Sequence, residues 1–161
     1  MTSRSSTLLI PIDFSEPSEV ALTRGLELAE RLGATVELIY VAPKMTPLFP
    51  RYAPNRQAVE RLAKEETDQA REALKKLRER SELIVKTRVL RGSPHEVITS
   101  HAEKIRAELI VIGTTGHSLA GTVVIGSTTE RVLRHTSVPV VVVPALVKPP
   151  PRRRKRGARK A

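Results

Sequence analysis

The chain contains no cysteine and no tryptophan in its 161 residues, and only two tyrosines and two phenylalanines. Without cysteine there is no disulfide, no thiolate zinc site, no iron–sulfur cluster and no thiol nucleophile. So few aromatic rings exclude a stacking platform for single-stranded nucleic acid and leave Val, Leu, Ile and Ala to fill a core. Long apolar runs are missing too. No stretch reaches the roughly 18–20 continuous apolar residues of a membrane helix. Residues 1–12 carry one charge, and their apolar run is too short for a signal-peptide core. These absences predict a cytoplasmic protein that is not integral to a membrane.

The chain is 40% hydrophobic, which is enough for a packed interior, and its length suits one ordinary domain. The net charge of +11 is unevenly placed: residues 148–161 hold eight of the 28 lysines and arginines and no acid. The rest is nearly balanced, with 20 basic against 17 acidic groups. We therefore read residues 1–147 as the domain and 148–161 as a basic tail. The tail has three prolines followed by Arg152, Arg153, Arg154, Lys155 and Arg156 and no core residues, so it is expected to be disordered or polyproline-like. Such a run suits contact with a polyanion, whether nucleic acid, polyphosphate or an acidic membrane, and equally suits a solubilising tail.

Along the domain the apolar pattern alternates between two periods. Residues 7–12 read as a buried strand, with Pro11 near its end. Ser15 is a plausible N-cap, Glu16 and Glu19 suit a first helical turn, and Val20, Leu22, Leu26, Ala29 and Leu32 form a helical stripe stopped by Gly33. Residues 35–41 are a second strand. A proline-rich loop follows, and Asn55 can cap a helix reaching to about Glu82. Residues 83–90 form a third strand, and Ser93-Pro94-His95-Glu96 is a capping box opening a helix to about Arg106. Residues 109–112 are a fourth strand, Ser127 to Glu130 a second capping box with a helix to about His135, and 138–143 a valine-rich last strand. Continuous apolar strands alternating with helices predict an α/β fold with a parallel sheet covered on both faces.

In an open parallel sheet, ligands bind beyond the carboxyl ends of the strands. That rule nominates Asp13, Val41 and Ala42, Gly92, and the loop that begins at Gly113. The loop gathers glycines and hydroxyls ahead of a helix start at Ser127, where free amides and the helix dipole favour a phosphate. It is not a P-loop: in Gly121-x4-Gly126-Ser127-Thr128, serine stands where lysine is required and no strand directly precedes. The glycine fingerprint of a dinucleotide site is absent after the first strand.

The spacing Gly113-x2-Gly116-x9-Gly126-Ser127 resembles the G-x2-G-x9-G-[ST] motif of the universal stress protein family, in its UspA-like, ATP-binding subtype. Two flanks agree with it, Leu-Ile-Pro-Ile-Asp13-Phe-Ser and Glu130-Arg-Val-Leu-Arg-His-Thr-Ser-Val-Pro139-Val-Val-Val-Val-Pro144. The resemblance implies a five-stranded parallel sheet of order 3-2-1-4-5, Rossmann-like and of the adenine nucleotide alpha-hydrolase type, and a site for ATP with Mg2+ or Mn2+ held through the phosphates. It implies that Pro11, Ile12 and Asp13 hold the adenine and ribose side and that Val41 meets the adenine through its backbone. Gly113, Thr114, Thr115, Gly116, His117 and Ser118 would wrap ribose and phosphates, and Gly126, Ser127, Thr128 and Thr129 would take the phosphate end. His117 stands where relatives frequently carry arginine. The resemblance also implies a homodimer through the last strand, at Val140, Val141, Val142 and Val143, which suits an uncharged valine edge.

Several of these residues have plainer readings. Asp13 could be a helix-start acid, Ser127 a cap, His95 and His101 surface or packing residues, and His135 a partner for the helix dipole. No metal-ligand spacing is visible, so a divalent ion would rest on phosphates and water. No nucleophile is paired with a base, and the loop has neither a Walker lysine nor an arginine finger. The sequence thus predicts a nucleotide-responsive stress or signalling protein with at most slow ATP hydrolysis. The alternative is a nucleotide-independent dimeric module whose tail binds a polyanion.

Overall fold

The computed structural model describes residues 6–44, 56–114 and 124–145. Five strands and four helices alternate: β1 (Thr7–Pro11), α1 (Glu16–Leu32), β2 (Thr35–Ala42), α2 (Arg56–Arg78), β3 (Ile84–Arg91), α3 (Pro94–Ile105), β4 (Leu109–Gly113), α4 (Ser127–His135) and β5 (Val140–Val143). The strands pair in parallel in the order β3-β2-β1-β4-β5. The fold class and strand order are those expected. The chain winds outward in one direction from β1 to β3 and in the other from β4 to β5, so the order reverses between β1 and β4. That reversal is where a doubly wound sheet opens a crevice.

Both sheet faces are dry, which is why the central strands read as unbroken apolar runs. Successive side chains of a strand point to opposite faces. Leu8, Ile10, Val36, Leu38 and Val111 pack with Ala21, Leu22 and Ala29 of α1 and with Leu74 and Leu77 of α2. Leu9, Ile39, Ile110 and Ile112 pack with Ile98 and Ala102 of α3 and with Val132 of α4. Among the described residues Glu37 is the one acid buried in this apolar lattice. It is buried on β2, and its Oε1 accepts from Arg88 Nε of β3 at 2.8 Å and from His101 Nε2 of α3 at 2.7 Å. His101 is thus a packing residue that ties α3 to the central strand.

Local chemistry accounts for most boundaries. Ser15 caps α1: its hydroxyl accepts from the Ser18 amide, and Pro17 sits in the first turn. Gly33 ends α1 with φ 62°, a left-handed backbone that glycine adopts without strain.

Several expectations need correction. Helix α2 stops at Arg78, and turns over 79–83 feed β3. β3 is an edge strand that is largely exposed after Ile84 rather than a covered one. β5 begins at Val140, because the Val138 amide is held by Thr136 Oγ1 at 3.0 Å in a turn. Neither predicted capping box forms. Ser93 makes no cap bond and instead engages His95 Nδ1 at 3.0 Å, while the cap of α4 is Gly126, which puts Ser127 inside the helix as its first residue. Asn55, the loop residues Thr115, Gly116, His117 and Ser118, and the tail with Arg152 to Arg156 lie outside the described residues.

Candidate functional site

A cleft of about 530 Å³ opens at the carboxyl ends of β1, β2 and β4, at the point where strand order reverses. That volume lies within the usual range for small-molecule sites. Pro11, Ile12, Asp13, Val41, Gly113, Thr114, Gly126, Ser127, Thr128 and Thr129 all line it. The topology brings these residues together from four separate chain segments. Ser15, Pro17, Ser18, Pro94, Ile98 and Ile112 also line it, and sequence reasoning did not place them there. The available signal was positional, since Ser15 to Ser18 and Pro94 stand at helix starts directly after strands.

The β1 end is built as a tight turn. After Pro11, the Ile12 amide still bonds to Ile39 of β2 at 2.8 Å, and then the chain leaves the sheet. Asp13 Oδ1 accepts from the Ser15 amide at 3.0 Å and from the Ser15 hydroxyl. Partial burial pushes the Asp13 carboxyl up, but the bonds from Ser15 and Ser18 together outweigh it and hold its pKa below the ordinary carboxylate value. The residue spanning this turn, Phe14, has φ 63°. A left-handed backbone costs a non-glycine residue about 1–2 kcal/mol.

The β2 end leaves backbone groups without a partner among the described residues. In a parallel ladder, alternate residues bond to the same neighbour, and Ile39 bonds toward β1. Val41, two residues on, presents its amide and carbonyl on that same side, where β1 has already turned away at Asp13. A donor and an acceptor side by side on one edge can read the edge of a flat heterocycle.

The β4 end is drawn close against α1. A Cβ on Gly113 would meet the Pro17 carbonyl oxygen at 2.4 Å, so only glycine allows this approach. Thr129 and Thr114 are buried, and their hydroxyls are already engaged. Thr129 Oγ1 donates to the Gly113 carbonyl at 2.9 Å, and Thr114 Oγ1 accepts from the Ala145 amide at 3.1 Å. These two side chains fasten the cleft wall. What the start of α4 offers a ligand is its backbone. The Glu130 amide bonds to Gly126 at 2.9 Å, and the amides of Ser127, Thr128 and Thr129 have no partner among the described residues. Three donors and the positive end of a helix dipole therefore face the cleft.

The charge on the lining is sparse. Asp13 and Glu16 are acidic, and no lysine or arginine lines the cleft among the described residues. No group of three or more His, Asp or Glu able to hold a metal ion occurs among them. His95 and His135 face one another with ring centroids 5.7 Å apart, and His135 Nδ1 bonds to the Arg131 carbonyl at 2.8 Å, as suits a residue at a helix end.

Residues 5–144 match the sequence pattern of the universal stress protein family. The chain belongs to that family. The universal stress protein MJ0531 of Methanocaldococcus jannaschii is 34% identical over 137 residues, covering 84% of this chain and 80% of that one. Among solved structures, the universal stress protein UspA from Lactobacillus plantarum superposes with a TM-score of 0.73 at 26% identity, over 88% of this chain and 99% of its own. A universal stress protein solved in complex with cAMP shares the fold with a TM-score of 0.57 at 22% identity, over 89% of this chain and 100% of its own. Within this universal stress protein, no helix among the described residues is long and apolar enough to cross a membrane.

Proposed function

We propose that this universal stress protein binds an adenine nucleotide, ATP above all, in the cleft at the strand ends, and responds to it as a homodimer. The observation that carries this reading is the convergence of Asp13, Val41 and the open start of α4 on one cleft. Each offers what a different part of a nucleotide needs. The Val41 amide and carbonyl suit the edge of adenine, which presents an acceptor and an amino donor. The Asp13 carboxylate suits ribose hydroxyls. The free amides of Ser127, Thr128 and Thr129 suit a phosphate. Ile98, Ile112 and Pro94 supply the apolar wall that a base packs against. A relative of the same fold carries cAMP, an adenine nucleotide, which supports the ligand class.

The lining has no cationic side chain among the described residues, so a triphosphate would bring its own countercharge. Mg2+ or Mn2+ held by phosphate oxygens and water would supply it. The same sparse charge suits binding rather than phosphoryl transfer, which needs cations placed on the transferring group. Among the described residues the outer edge of β5 has no strand partner, and Val140, Val141 and Val142 are only partly buried. A second copy pairing there would cover that edge.

Calorimetry on protein stripped of ligand by unfolding and refolding tests this reading. We expect saturable uptake of ATP with Mg2+, one nucleotide per chain, and a dimer in sedimentation. Protein that takes up neither ATP, AMP nor cAMP, with or without Mg2+, overturns the reading.

A further inference from the structure

Two residues other than glycine have a positive φ among those described, Phe14 at 63° and Arg106 at 54°. Arg106 is accounted for. It is the left-handed cap that ends α3, its amide bonding to Ala102 and Glu103. Phe14 has no such account. It ends no helix, it is bulky, and the turn it spans would by backbone preference alone select glycine. A strained residue that persists beside a cleft is held there by something.

What holds it is its ring. Phe14 packs on Tyr40 of β2, with centroids 5.3 Å apart and planes tilted by 30°. Tyr40 is itself anchored, since its hydroxyl donates to Glu66 Oε1 of α2 at 2.9 Å. Burial of that hydroxyl, and then the Glu66 carboxylate, push the Tyr40 pKa above its ordinary value. The left-handed backbone at Phe14 is what folds the Ser15 amide and hydroxyl back onto the Asp13 carboxylate.

We propose that Phe14 is a positioning residue for the cleft: stacked on Tyr40, its ring fixes the turn that presents the Asp13 carboxylate to a ligand. The ring itself need not touch the ligand. The ligand side of this proposal rests on the nucleotide reading above; the control of Asp13 does not.

The test uses the full chain and three variants, Phe14→Gly, Tyr40→Leu and Tyr40→Phe. In the ligand-free proteins, the Asp13 carboxyl is titrated by carbon-detected NMR. Phe14→Gly removes the backbone strain and the ring contact together, so the two losses partly offset and its Tm should fall by only a few degrees. Without the ring the turn loosens, the Asp13 pKa rises toward the ordinary carboxylate value, and affinity for ATP with Mg2+ falls about tenfold, the loss expected when a preorganised group is freed. Tyr40→Leu should reproduce the Asp13 shift, and Tyr40→Phe, which keeps the ring, should not. The proposal is overturned if Phe14→Gly leaves both the Asp13 titration and the affinity unchanged, or if Tyr40→Phe shifts Asp13 as far as Tyr40→Leu does. If the parent takes up no ATP, the nucleotide reading fails alone, and the ligand-free titration still decides the role of Phe14.

Discussion

Helices α1 and α4 both begin at the end of a sheet strand or the loop beyond it, and both border the same cleft, yet their first turns are finished in opposite ways. α1 is closed by its own residues. Ser15 caps it, Pro17 removes one free amide, and Glu16 and Glu19 answer the dipole. α4 starts on Gly126, which has no side chain to cap with, and leaves three amides without a partner among the described residues. A closed helix start is complete as structure. An open one beside a cleft is an offer to an anion, at a cost in stability that a capped helix avoids.

The sharpest way to break the contrast is to give α4 the acid that α1 carries at its first position. Ser127→Glu should satisfy the dipole of α4 and leave Tm unchanged or slightly raised. It should weaken ATP binding about a hundredfold, because like charges brought together cost several kcal/mol. Calorimetry and thermal melting on the same sample separate the two effects, and unchanged affinity would mean that phosphates do not sit on α4.

A smaller effect is expected at Thr129, which fastens the uncapped helix sideways. Thr129→Val keeps the shape and strands the half-buried Gly113 carbonyl, for a stability loss of about 1–2 kcal/mol in urea denaturation. A loss well below that range would mean that water replaces the hydroxyl.

The smallest effect belongs to the closed helix. Ser15→Ala should cost about 1 kcal/mol at pH 7 through the lost cap. It also removes the bonds that lower the pKa of Asp13. A carboxylate with a folded pKa below its unfolded value of about 3.9 adds stability at neutral pH, and that contribution is lost as pH falls through the folded value. The gap between parent and variant should therefore narrow between pH 7 and pH 3. An identical gap at both values would mean that Asp13 draws no stability from Ser15.

The architecture was largely legible in the sequence, because dry sheet faces write themselves as apolar runs and Gly33 and Ser15 mark the limits of α1. The cleft was half legible. Asp13, Val41 and Gly113 could be nominated because each stands at a strand end, and strand ends follow from pattern. Pro94 and Ile98 could not, because their place depends on how α3 lies across the sheet, which no local pattern encodes. The capping boxes misled for a local reason: the Ser93 hydroxyl found His95 two residues on, and at Ser127 the pattern ran one residue late against Gly126. Glu37 was overlooked because its partners Arg88 and His101 stand 51 and 64 residues away. The hydroxyls of Thr114 and Thr129 looked free in the sequence because their partners, Ala145 and Gly113, come near them only once the sheet is assembled.

The buried carboxylate on β2 has a bearing on the cleft above it. His101 lies one helical turn beyond Ile98, so the apolar wall of the cleft hangs from the same helix that Glu37 moors to the sheet. Ions in solvent screen buried charges far less than exposed ones. The spacing between that wall and the strand ends should accordingly depend little on ionic strength.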